Sequence, residues 1–411
     1  MKQPGAATAT LFTLTLLLTA AVPPATANAA NADDTVTVFI GTYTRGWACP
    51  PPAAKGGACT SKGIYSASFD PKSGVLGPPT LAAEADNPSY LAIDPSGKFL
   101  YAVNEIDDWK GEKTGAVSAY AIEASGKLRL INQISSHGAE PCHVLVNAAG
   151  TQVVVANYGG GTVASYLVAA NGELKDGSSL LNAGTHGPHA NQDAAHAHFV
   201  VEGPIPGLLY VADLGLDKVL LYDLDAAGKL KPHAAQPFAA VVPPGSGPRH
   251  IALHPNRRFL YTNNELASTA TVFARDPRTG GLAQPALQTI STAPAAHKGR
   301  NDNAEIQLSH DGRFAYVSNR GHDSITTFAV NANTGKLTTI DNVVTGGKEP
   351  RDFKLDPSGA FLLVAHQISD DVIVFRIDQR TGKPEAPAAP VKVSKAVSLA
   401  FWKSPAAKAA H

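Results

Sequence analysis

The stretch PSYLAIDPSGKFLYAVNE (residues 88–105) decides the fold of this chain, because related stretches recur at a period of roughly 50 residues. The other copies begin at Pro141, Ala197, Pro248, Ala304 and Pro350, and the copy at Ala197 is the most divergent. Each copy contains an apolar strand, a turn marked by Pro, Gly or Asn, and a second apolar strand, and two further short strands follow it. Four short strands per repeat at this period are typical of one blade of a β-propeller.

A seventh repeat is divided between the two ends of the chain. Val36–Thr44 resembles the second strand of a blade, and the third and fourth strands follow from Gly63 and Pro79. At the other end, Val397–Trp402 resembles a first strand with nothing after it. We predict that Val397–Trp402 pairs with Val36–Thr44 and closes a ring of seven four-stranded blades, which removes two exposed sheet edges. Helical periodicity is nearly absent, so the predicted fold class is all-β.

Residues 1–32 are predicted to be a secretory signal peptide, which leaves residues 33–411 as a single propeller domain. Lys2 is followed by an apolar run and then by small-residue triplets that suit signal-peptide cleavage. An uncleaved N-terminal anchor is the alternative interpretation. No other stretch is long and apolar enough to cross a bilayer, so we expect no membrane span after signal removal. The predicted location is periplasmic or secreted.

The three cysteines agree with export. Cys49 and Cys59 bracket CPPPAAKGGAC, a loop rich in Pro and Gly that cannot bury a core of its own. In an oxidising compartment a disulfide between them would tie this loop down, so we predict that bond. Cys142 is left over, and we interpret it as a small buried hydrophobic residue rather than a nucleophile.

Composition and motifs exclude several classes of function. The chain has 34 Lys and Arg against 34 Asp and Glu, with no basic stripe, so we expect no nucleic-acid partner. It contains no P-loop, no dinucleotide fingerprint and no G-x-S-x-G elbow, and we expect no cofactor. The segment Thr185–His198 carries four histidines. Since no Asp, Glu or Cys stands at secure ligand spacing, a metal site there is considered but not predicted.

Strand direction predicts where polar side chains gather. In a blade the first strand lies at the central channel and the second runs antiparallel to it, so the start of one and the end of the other share a face. We call this end of the channel the mouth. Aligned repeats place one column of residues at the start of the first strands: Tyr90, His143, His198, His250, Glu305 and Asp352.

Residues that follow the second strands belong to the same mouth, among them Glu105, Glu265 and Arg320. Convergence of polar groups in a concave place is typical of a binding or catalytic site. A structural role, in which such residues hold each blade together, is the alternative for any single member, above all for His250. Structural residues should repeat from blade to blade, however, whereas Arg249, Glu265, Arg320 and His198 do not.

At these residues the chain resembles the lactonase family of seven-bladed propellers, which contains propeller-type 6-phosphogluconolactonases and fungal carboxy-cis,cis-muconate cyclising enzymes. The resemblance covers residues 36–402 and is carried by VFIGTYT, GAEPCHV, VANYGGGTVASY, HGPHANQDAAHAH and SNRGHDSI, among other segments. It implies a catalytic set of one His, two Arg and one Glu. By motif these correspond to His198, Arg249, Glu265 and Arg320, which also lie at the predicted mouth. The residues expected to contact substrate around them are Tyr90, Glu105, His143, His196, Glu305 and Asp352.

The function implied is an exported lactone hydrolase, a monomer or weak oligomer, acting on a sugar-derived or other anionic lactone. Glu265 or His198 would be the base that activates water, with the other as acid. Two alternatives remain open: a muconate-type cyclase that forms a lactone from an organic acid, and a non-catalytic propeller that binds a ligand or a protein.

Overall fold

The structure is a computed structural model that describes Met1, residues 36–46, Cys49, residues 59–234 and residues 240–405. These residues form seven antiparallel sheets. Apart from Met1, the predicted signal peptide lies outside the described residues. Over the ranges that are described, no helix has the length and apolar character needed to cross a membrane.

We number the blades 1 to 7 in chain order, starting from the divided one, and give their strands from the channel outward. Blade 1 contains Ala396–Trp402, Val36–Thr42, Gly63–Asp70, Val75–Leu76 and Thr80–Glu84. Blade 2 contains Leu91–Ile93, Phe99–Asn104, Ala116–Ile122 and Leu128–Ser135. Blade 3 contains Pro141–Val146, Gln152–Asn157, Thr162–Val168 and Leu174–Leu181. Blade 4 contains Ala197–Glu202, Leu208–Asp213, Lys218–Leu224, Leu230–Pro232 and Ala240–Val241.

The remaining three blades follow the same order. Blade 5 contains Pro248–Leu253, Phe259–Asn264, Thr269–Ala274 and Gln288–Ser291. Blade 6 contains Asp302–Leu308, Phe314–Arg320, Ser324–Val330 and Leu337–Val344. Blade 7 contains Pro350–Leu355, Phe361–His366, Asp371–Ile377, Pro384–Glu385 and Val391–Lys392. A short 3-10 helix, Trp109–Gly111, lies in a loop of blade 2.

The predicted closure of the ring is confirmed. Ala396–Trp402 pairs antiparallel with Val36–Thr42, with Phe39 opposite Ala400 and Ile40 opposite Leu399. Each first strand packs against the first strands of the two neighbouring blades, and this series returns to its start through Ala396–Trp402. The all-β, seven-bladed prediction is therefore correct.

The hairpin between the first two strands is built by the DPSG motif. The Asp94 carboxylate accepts hydrogen bonds from the backbone amides of Lys98 at 2.8 Å and Phe99 at 2.7 Å. These bonds hold the turn that connects the two strands. Gly97 adopts the left-handed φ of +72° that the turn requires. Asp356 binds the Phe361 amide in the same way in blade 7, at 2.8 Å. The repeated motif thus produces the same hairpin in blades 2 and 7.

A β-bulge at the start of the first strand recurs in several blades and decides which side chains reach the mouth. In blade 4 the pairing passes from Ala197 opposite Asp213 directly to Phe199 opposite Ala212, so His198 is an extra residue. The corresponding extra residues elsewhere are Cys142 in blade 3, Arg249 in blade 5 and Arg351 in blade 7.

The bulge corrects one alignment made from the sequence. His198 was placed in a column with His143 and His250, but the structure aligns it with Arg249, and Phe199 takes the position of His250. The alignment was wrong by one residue, because the sequence HAHFV does not reveal where an extra residue is inserted.

Neighbouring blades are joined by buried tyrosines of the second strands. Tyr101 donates a hydrogen bond to the carbonyl oxygen of Gly172 in the next blade, and Tyr261 does the same to Gly335 at 2.9 Å. Both rings are fully buried in the apolar layers between blades. Because a buried hydroxyl needs a partner, these bonds position each blade against the next as well as filling the core.

Two of the three cysteines are joined. A disulfide links Cys49 and Cys59, whose Cα atoms are 5.1 Å apart. Cys142 is a buried free thiol in blade 3.

We predict that ending the chain after Lys395 prevents stable folding, because it removes the innermost strand of blade 1 and opens the ring. Ending it after Lys403 keeps that strand and serves as the control. Thermal unfolding followed by circular dichroism should show a cooperative transition for the control alone. A shorter chain that melts like the control would contradict the role of the closing strand.

We also predict that protein secreted into an oxidising medium carries the Cys49–Cys59 disulfide and a reduced Cys142. Mass spectrometry of an unreduced digest should yield one disulfide-linked pair of peptides, and Cys142 should react with an alkylating reagent only after denaturation, because it is buried. A bridge that involves Cys142 would contradict this assignment.

Candidate active site

The mouth of the channel holds a cavity of about 450 Å³. Bulged residues of first strands supply one part of its wall: Cys142, His198, Arg249 and Arg351. Residues at or just after the ends of second strands supply another: Glu105, Tyr158, Glu265, Arg320 and Gln367. The turns before two first strands add Glu140 and Glu349. The bulges and the strand directions therefore bring residues of several blades to one place.

Glu265 lies at the centre of the charged network. Its Oε1 atom is 2.7 Å from an Nη atom of Arg320, and its Oε2 atom is 2.8 Å from Nε of Arg249. Both arginine side chains are almost fully buried, at 7% and 3% exposure. One carboxylate is thus shared by two buried guanidinium groups, and this sharing offsets part of the cost of removing their charges from water.

The protonation state of Glu265 follows from these contacts. Burial alone would raise the pKa of its carboxyl, but the positive charges of Arg320 and Arg249 outweigh burial and hold that pKa well below its usual range. The carboxylate is therefore ionised at neutral pH. A group held so firmly in its charged form is a poor acceptor of protons, so the prediction that Glu265 is the general base is not supported by its surroundings.

His198 faces the same carboxylate from blade 4. Its Nε2 atom lies 4.0 Å from Glu265 Oε2, and its Nδ1 atom lies 3.7 Å from Cys142 Sγ. Burial, followed by the charge of Arg249, lowers the pKa of this imidazole well below its usual value. His198 is therefore neutral at physiological pH and can offer substrate a hydrogen bond without a charge.

A second group of hydrogen bonds orients Arg249. One Nη atom donates to the carbonyl oxygen of Ala304 at 2.6 Å and lies 3.0 Å from His250 Nε2. Because a guanidinium only donates, His250 Nε2 is the acceptor, and its Nδ1–H donates to Glu305 at 2.7 Å. Glu305 and His250 thus fix the orientation of Arg249 without reaching the cavity themselves.

Arg351 forms a separate group on the other side of the cavity. It donates to the Tyr43 hydroxyl at 2.7 Å, and that hydroxyl lies 2.9 Å from both carboxylate oxygens of Glu105. Gln367 accepts a further bond from Arg351 at 3.4 Å. Blades 1, 2 and 7 therefore build a second arginine–carboxylate unit opposite the one around Glu265.

Comparison with known proteins agrees with this architecture. Residues 37–401 match the family model described as "Lactonase, 7-bladed beta-propeller". This chain belongs to that lactonase family. A 6-phosphogluconolactonase of Bacillus subtilis (strain 168) is 34% identical over 364 residues, which cover 88% of this chain and 97% of the relative.

Two solved structures are similar over nearly the whole chain. A periplasmic gluconolactonase of Pseudomonas aeruginosa is 33% identical with a TM-score of 0.80, covering 90% of this chain and 99% of its own. A putative 6-phosphogluconolactonase of Bacteroides fragilis is 32% identical with a TM-score of 0.80, covering 92% and 100%. The predicted family membership is confirmed.

Within this lactonase, the four residues proposed from the family motif line one cavity, but most of the predicted substrate contacts do not. Glu105, which follows a second strand, lines the cavity. Four residues at the starts of first strands are buried and do not reach its wall: Tyr90, His143, Glu305 and Asp352. The prediction that these four bind substrate directly is therefore not retained. In blades 3 and 7 the bulge places Cys142 and Arg351 at the wall in place of His143 and Asp352.

Those four side chains instead form a buried layer in the channel. The rings of Tyr90 and His143 are 4.3 Å apart, and Lys354 lies between Glu305 and Asp352 at 3.7 and 3.6 Å. Burial, with the neighbouring charge of Glu305, raises the pKa of Asp352 to about 7. This layer supports the cavity from beneath.

His196 also lies off the cavity. It precedes the strand of blade 4, stacks on the ring of Tyr158 at 4.5 Å and binds the carboxylate of Asp193 at 2.9 Å. The expectation that His196 contacts substrate is therefore not retained, because His196 lies before the strand whereas His198 lies in its bulge and lines the cavity. Among the described residues, no three His, Cys, Asp or Glu side chains are grouped so that they would hold a metal ion.

Sequence reasoning missed Tyr43, which binds Arg351 without lining the cavity, and two residues at the rim of the cavity, Glu140 and Glu349. A signal for the last two was present, because the dipeptide Glu-Pro recurs immediately before the first strands of blades 3 and 7. The contact of Tyr43 with Glu105 had no sequence signal, since it joins two neighbouring blades through residues 62 positions apart.

We predict that Glu265→Gln lowers the free energy of unfolding by about 3–5 kcal/mol at neutral pH, because it leaves two buried guanidinium groups without their shared carboxylate. Since folding lowers the pKa of Glu265, its contribution is present above its unfolded pKa and is lost as pH falls toward the folded pKa. Urea unfolding should therefore show the difference from wild type shrinking on acidification.

Glu349→Gln is the matched control for this prediction. Glu349 pairs with Arg300 at 2.6 Å, but the Arg300 side chain is 59% exposed. A pair of this kind contributes at most about 1 kcal/mol. Equal destabilisation by the two substitutions would contradict the inference that Glu265 contributes more to the free energy of unfolding than Glu349 does.

Proposed function

We propose that this chain is an exported lactone hydrolase that opens a sugar-derived or other anionic lactone at the mouth of its propeller. The observation that carries this proposal is the pair of buried arginines, Arg249 and Arg320, held side by side by Glu265 in one wall of the cavity. Membership of the lactonase family and the names of its relatives support the same class of reaction.

Ester-bond opening develops negative charge on the carbonyl oxygen, and preorganised cations stabilise that charge. Within the part of the chain that is described, neither Arg249 Nε nor Arg320 Nε completes a well-directed hydrogen bond, although Arg249 Nε lies 2.8 Å from the Glu265 carboxylate. Both guanidinium groups belong to residues that line the cavity. We assign Arg249 and Arg320 to the lactone carbonyl and to the oxyanion that forms from it.

Glu265 acts by holding the two arginines rather than by moving a proton. Its charge keeps them together at close range despite their mutual repulsion. His198, which stays neutral, contributes a hydrogen bond to the substrate beside them. This division of roles agrees with the low pKa of Glu265 and the low pKa of the His198 imidazole.

The cavity suits a substrate that carries hydroxyl groups and negative charge. Arg351 and the exposed Arg300 supply positive charge at its far side and rim, while Glu105 and Glu349 supply acceptors for sugar hydroxyls. The B. subtilis relative is named for a phosphorylated lactone and the P. aeruginosa structure for gluconolactone, and both are sugar lactones.

Export is supported by three observations. The segment 1–32 has the pattern of a signal peptide. The structure contains the Cys49–Cys59 disulfide, a bond that persists in oxidising compartments. One of the similar solved structures is titled a periplasmic gluconolactonase.

We predict that purified protein hydrolyses at least one sugar lactone in a panel that includes gluconolactone and 6-phosphogluconolactone, and that Arg320→Gln lowers kcat/KM by about 100-fold or more. The loss follows from removing one of the two donors to the oxyanion. Acid release in a pH-stat, corrected for spontaneous hydrolysis, measures the rate.

Arg313→Gln is the control, because Arg313 precedes the same strand of blade 6 at its opposite end and is 54% exposed. It should retain wild-type activity. Absence of turnover on every lactone of the panel would overturn the proposal, and turnover of a muconate-type diacid to a lactone would favour the cyclase instead.

A further inference from the structure

Glu140 is a rim carboxylate that neither the family motif nor the function proposed above uses. It lies in the turn before the first strand of blade 3, with an unusual φ of +51°. Its amide donates to the carbonyl oxygen of Ile106 at 2.9 Å, and its own carbonyl accepts from the Tyr158 amide at 2.9 Å. The backbone is therefore fixed between blade 2 and the end of a second strand, and the side chain starts from a defined place on the cavity wall.

The carboxylate of Glu140 differs from the other three in the cavity. Glu265 is paired with two arginines, Glu105 accepts from Tyr43, and Glu349 is paired with Arg300. The carboxylate of Glu140 has no hydrogen-bond or ion-pair partner among the residues that the structure describes, although Glu140 lines the cavity. It is the carboxylate there whose oxygens are left for water or substrate.

The charges around Glu140 favour proton uptake. Burial and then the negative charges of Glu105 and Asp107 raise the pKa of its carboxyl, and His196 opposes them weakly. Tyr158, whose amide donates to the Glu140 carbonyl, also lines the cavity, and its hydroxyl remains protonated because burial raises its pKa. Such a carboxyl takes up a proton more readily than Glu265, whose pKa lies well below its usual range, and can therefore both accept and return one.

Glu140 also stands between the cavity and solvent. A second hollow of about 290 Å³ adjoins the cavity, and Glu140 and Glu105 line both. Arg45, Asp107 and Asp108 line its outer part, which carries the exposed ion pair of Arg45 and Asp108 at 2.6 Å. A proton on Glu140 therefore has a short polar route to bulk water.

We propose that Glu140 is the proton-transfer residue of lactone opening, acting on the water that attacks a carbonyl held by Arg249 and Arg320. This inference rests on the proposed function. The assignment of this role rests on three observations: the backbone of Glu140 is fixed, its carboxylate is unpartnered, and the cavity opens to solvent beside it.

The step balances with water as the sole co-reactant. The Glu140 carboxylate takes a proton from water as the water oxygen forms a bond to the lactone carbonyl carbon, and the carbonyl electron pair moves to the oxygen held by the arginines. When that pair returns, the ring C–O bond breaks and the leaving oxygen takes the proton from Glu140. The product is a hydroxy acid, whose carboxyl releases its proton to solvent.

Gly159 leaves space on the cavity wall for the Glu140 carboxylate. It belongs to the glycine-rich turn NYGGGT, and a Cβ atom at residue 159 would stand 2.8 Å from Glu140 Oε2. Alanine at this position would therefore displace the carboxylate while leaving its chemistry intact. The glycine-rich turn thus makes room for Glu140.

The test compares Glu140→Gln with Glu349→Gln on whichever lactone the wild type hydrolyses. The two residues are matched, because both precede a proline, both have positive φ and both line the cavity. Glu140→Gln should lower kcat by about 100-fold or more. It should also abolish the fall in kcat/KM that wild type shows as pH drops through the pKa of Glu140. Glu349→Gln should keep that fall, whatever it does to KM.

Gly159→Ala supplies a second and independent test. It should lower kcat by about tenfold or more, because it misplaces the carboxylate. In the Glu140→Gln background it should have no further effect, since the displaced group is already inactive. Thermal melting of each variant checks that the fold is kept.

The outcomes separate this inference from the proposed function. If wild type hydrolyses a lactone and folded Glu140→Gln keeps its rate and pH profile, Glu140 is not the proton carrier and the hydrolase proposal stands. If wild type hydrolyses no lactone of the panel, the hydrolase proposal fails and this inference fails with it. Additive losses from Gly159→Ala and Glu140→Gln would also overturn it.

Discussion

The pairing of Ala396–Trp402 with Val36–Thr42 is the contact on which the rest of the structure depends. It makes the last strand of the chain the innermost strand of the first blade, so seven sheets share one closed channel. Without it the ring would have two free edges, and the first strands would not be held at a common distance from the axis. The site exists because residues of several blades face that channel together.

Within the closed ring, charge balance limits what the cavity can do. Buried arginines are held by carboxylates on two sides, Arg249 and Arg320 by Glu265, and Arg351 through Tyr43 by Glu105. Each unit fixes the protonation states of its members, since a buried charge that loses its partner is costly. The groups that bind an oxyanion are therefore distinct from the group that must gain and lose a proton.

Part of the site could be predicted from the sequence. Arg249, Glu265 and Arg320 interrupt an otherwise regular repeat, so asymmetry and strand direction place them at the mouth. The same reasoning could not decide which residues at the starts of the first strands line the cavity. His143 and His198 look equivalent in the sequence, yet a β-bulge turns His198 into the cavity and leaves His143 in the layer beneath. A one-residue insertion in pairing depends on tertiary contacts that the local sequence does not specify.

The sequence by itself determined the blade repeat, the hairpins built by DPSG, the ring closure and the membership of a lactonase-like propeller family, because these depend on local pattern and on strands that must be paired. Only the tertiary structure decided which polar groups meet. The contacts of Tyr43 with Glu105 and of Glu265 with Arg320 join neighbouring blades through residues that are far apart in the sequence. The same packing leaves the Glu140 carboxylate without a partner among the described residues. Protonation depends on those neighbours and on burial, so the chemical roles of the carboxylates emerge only once the ring is closed.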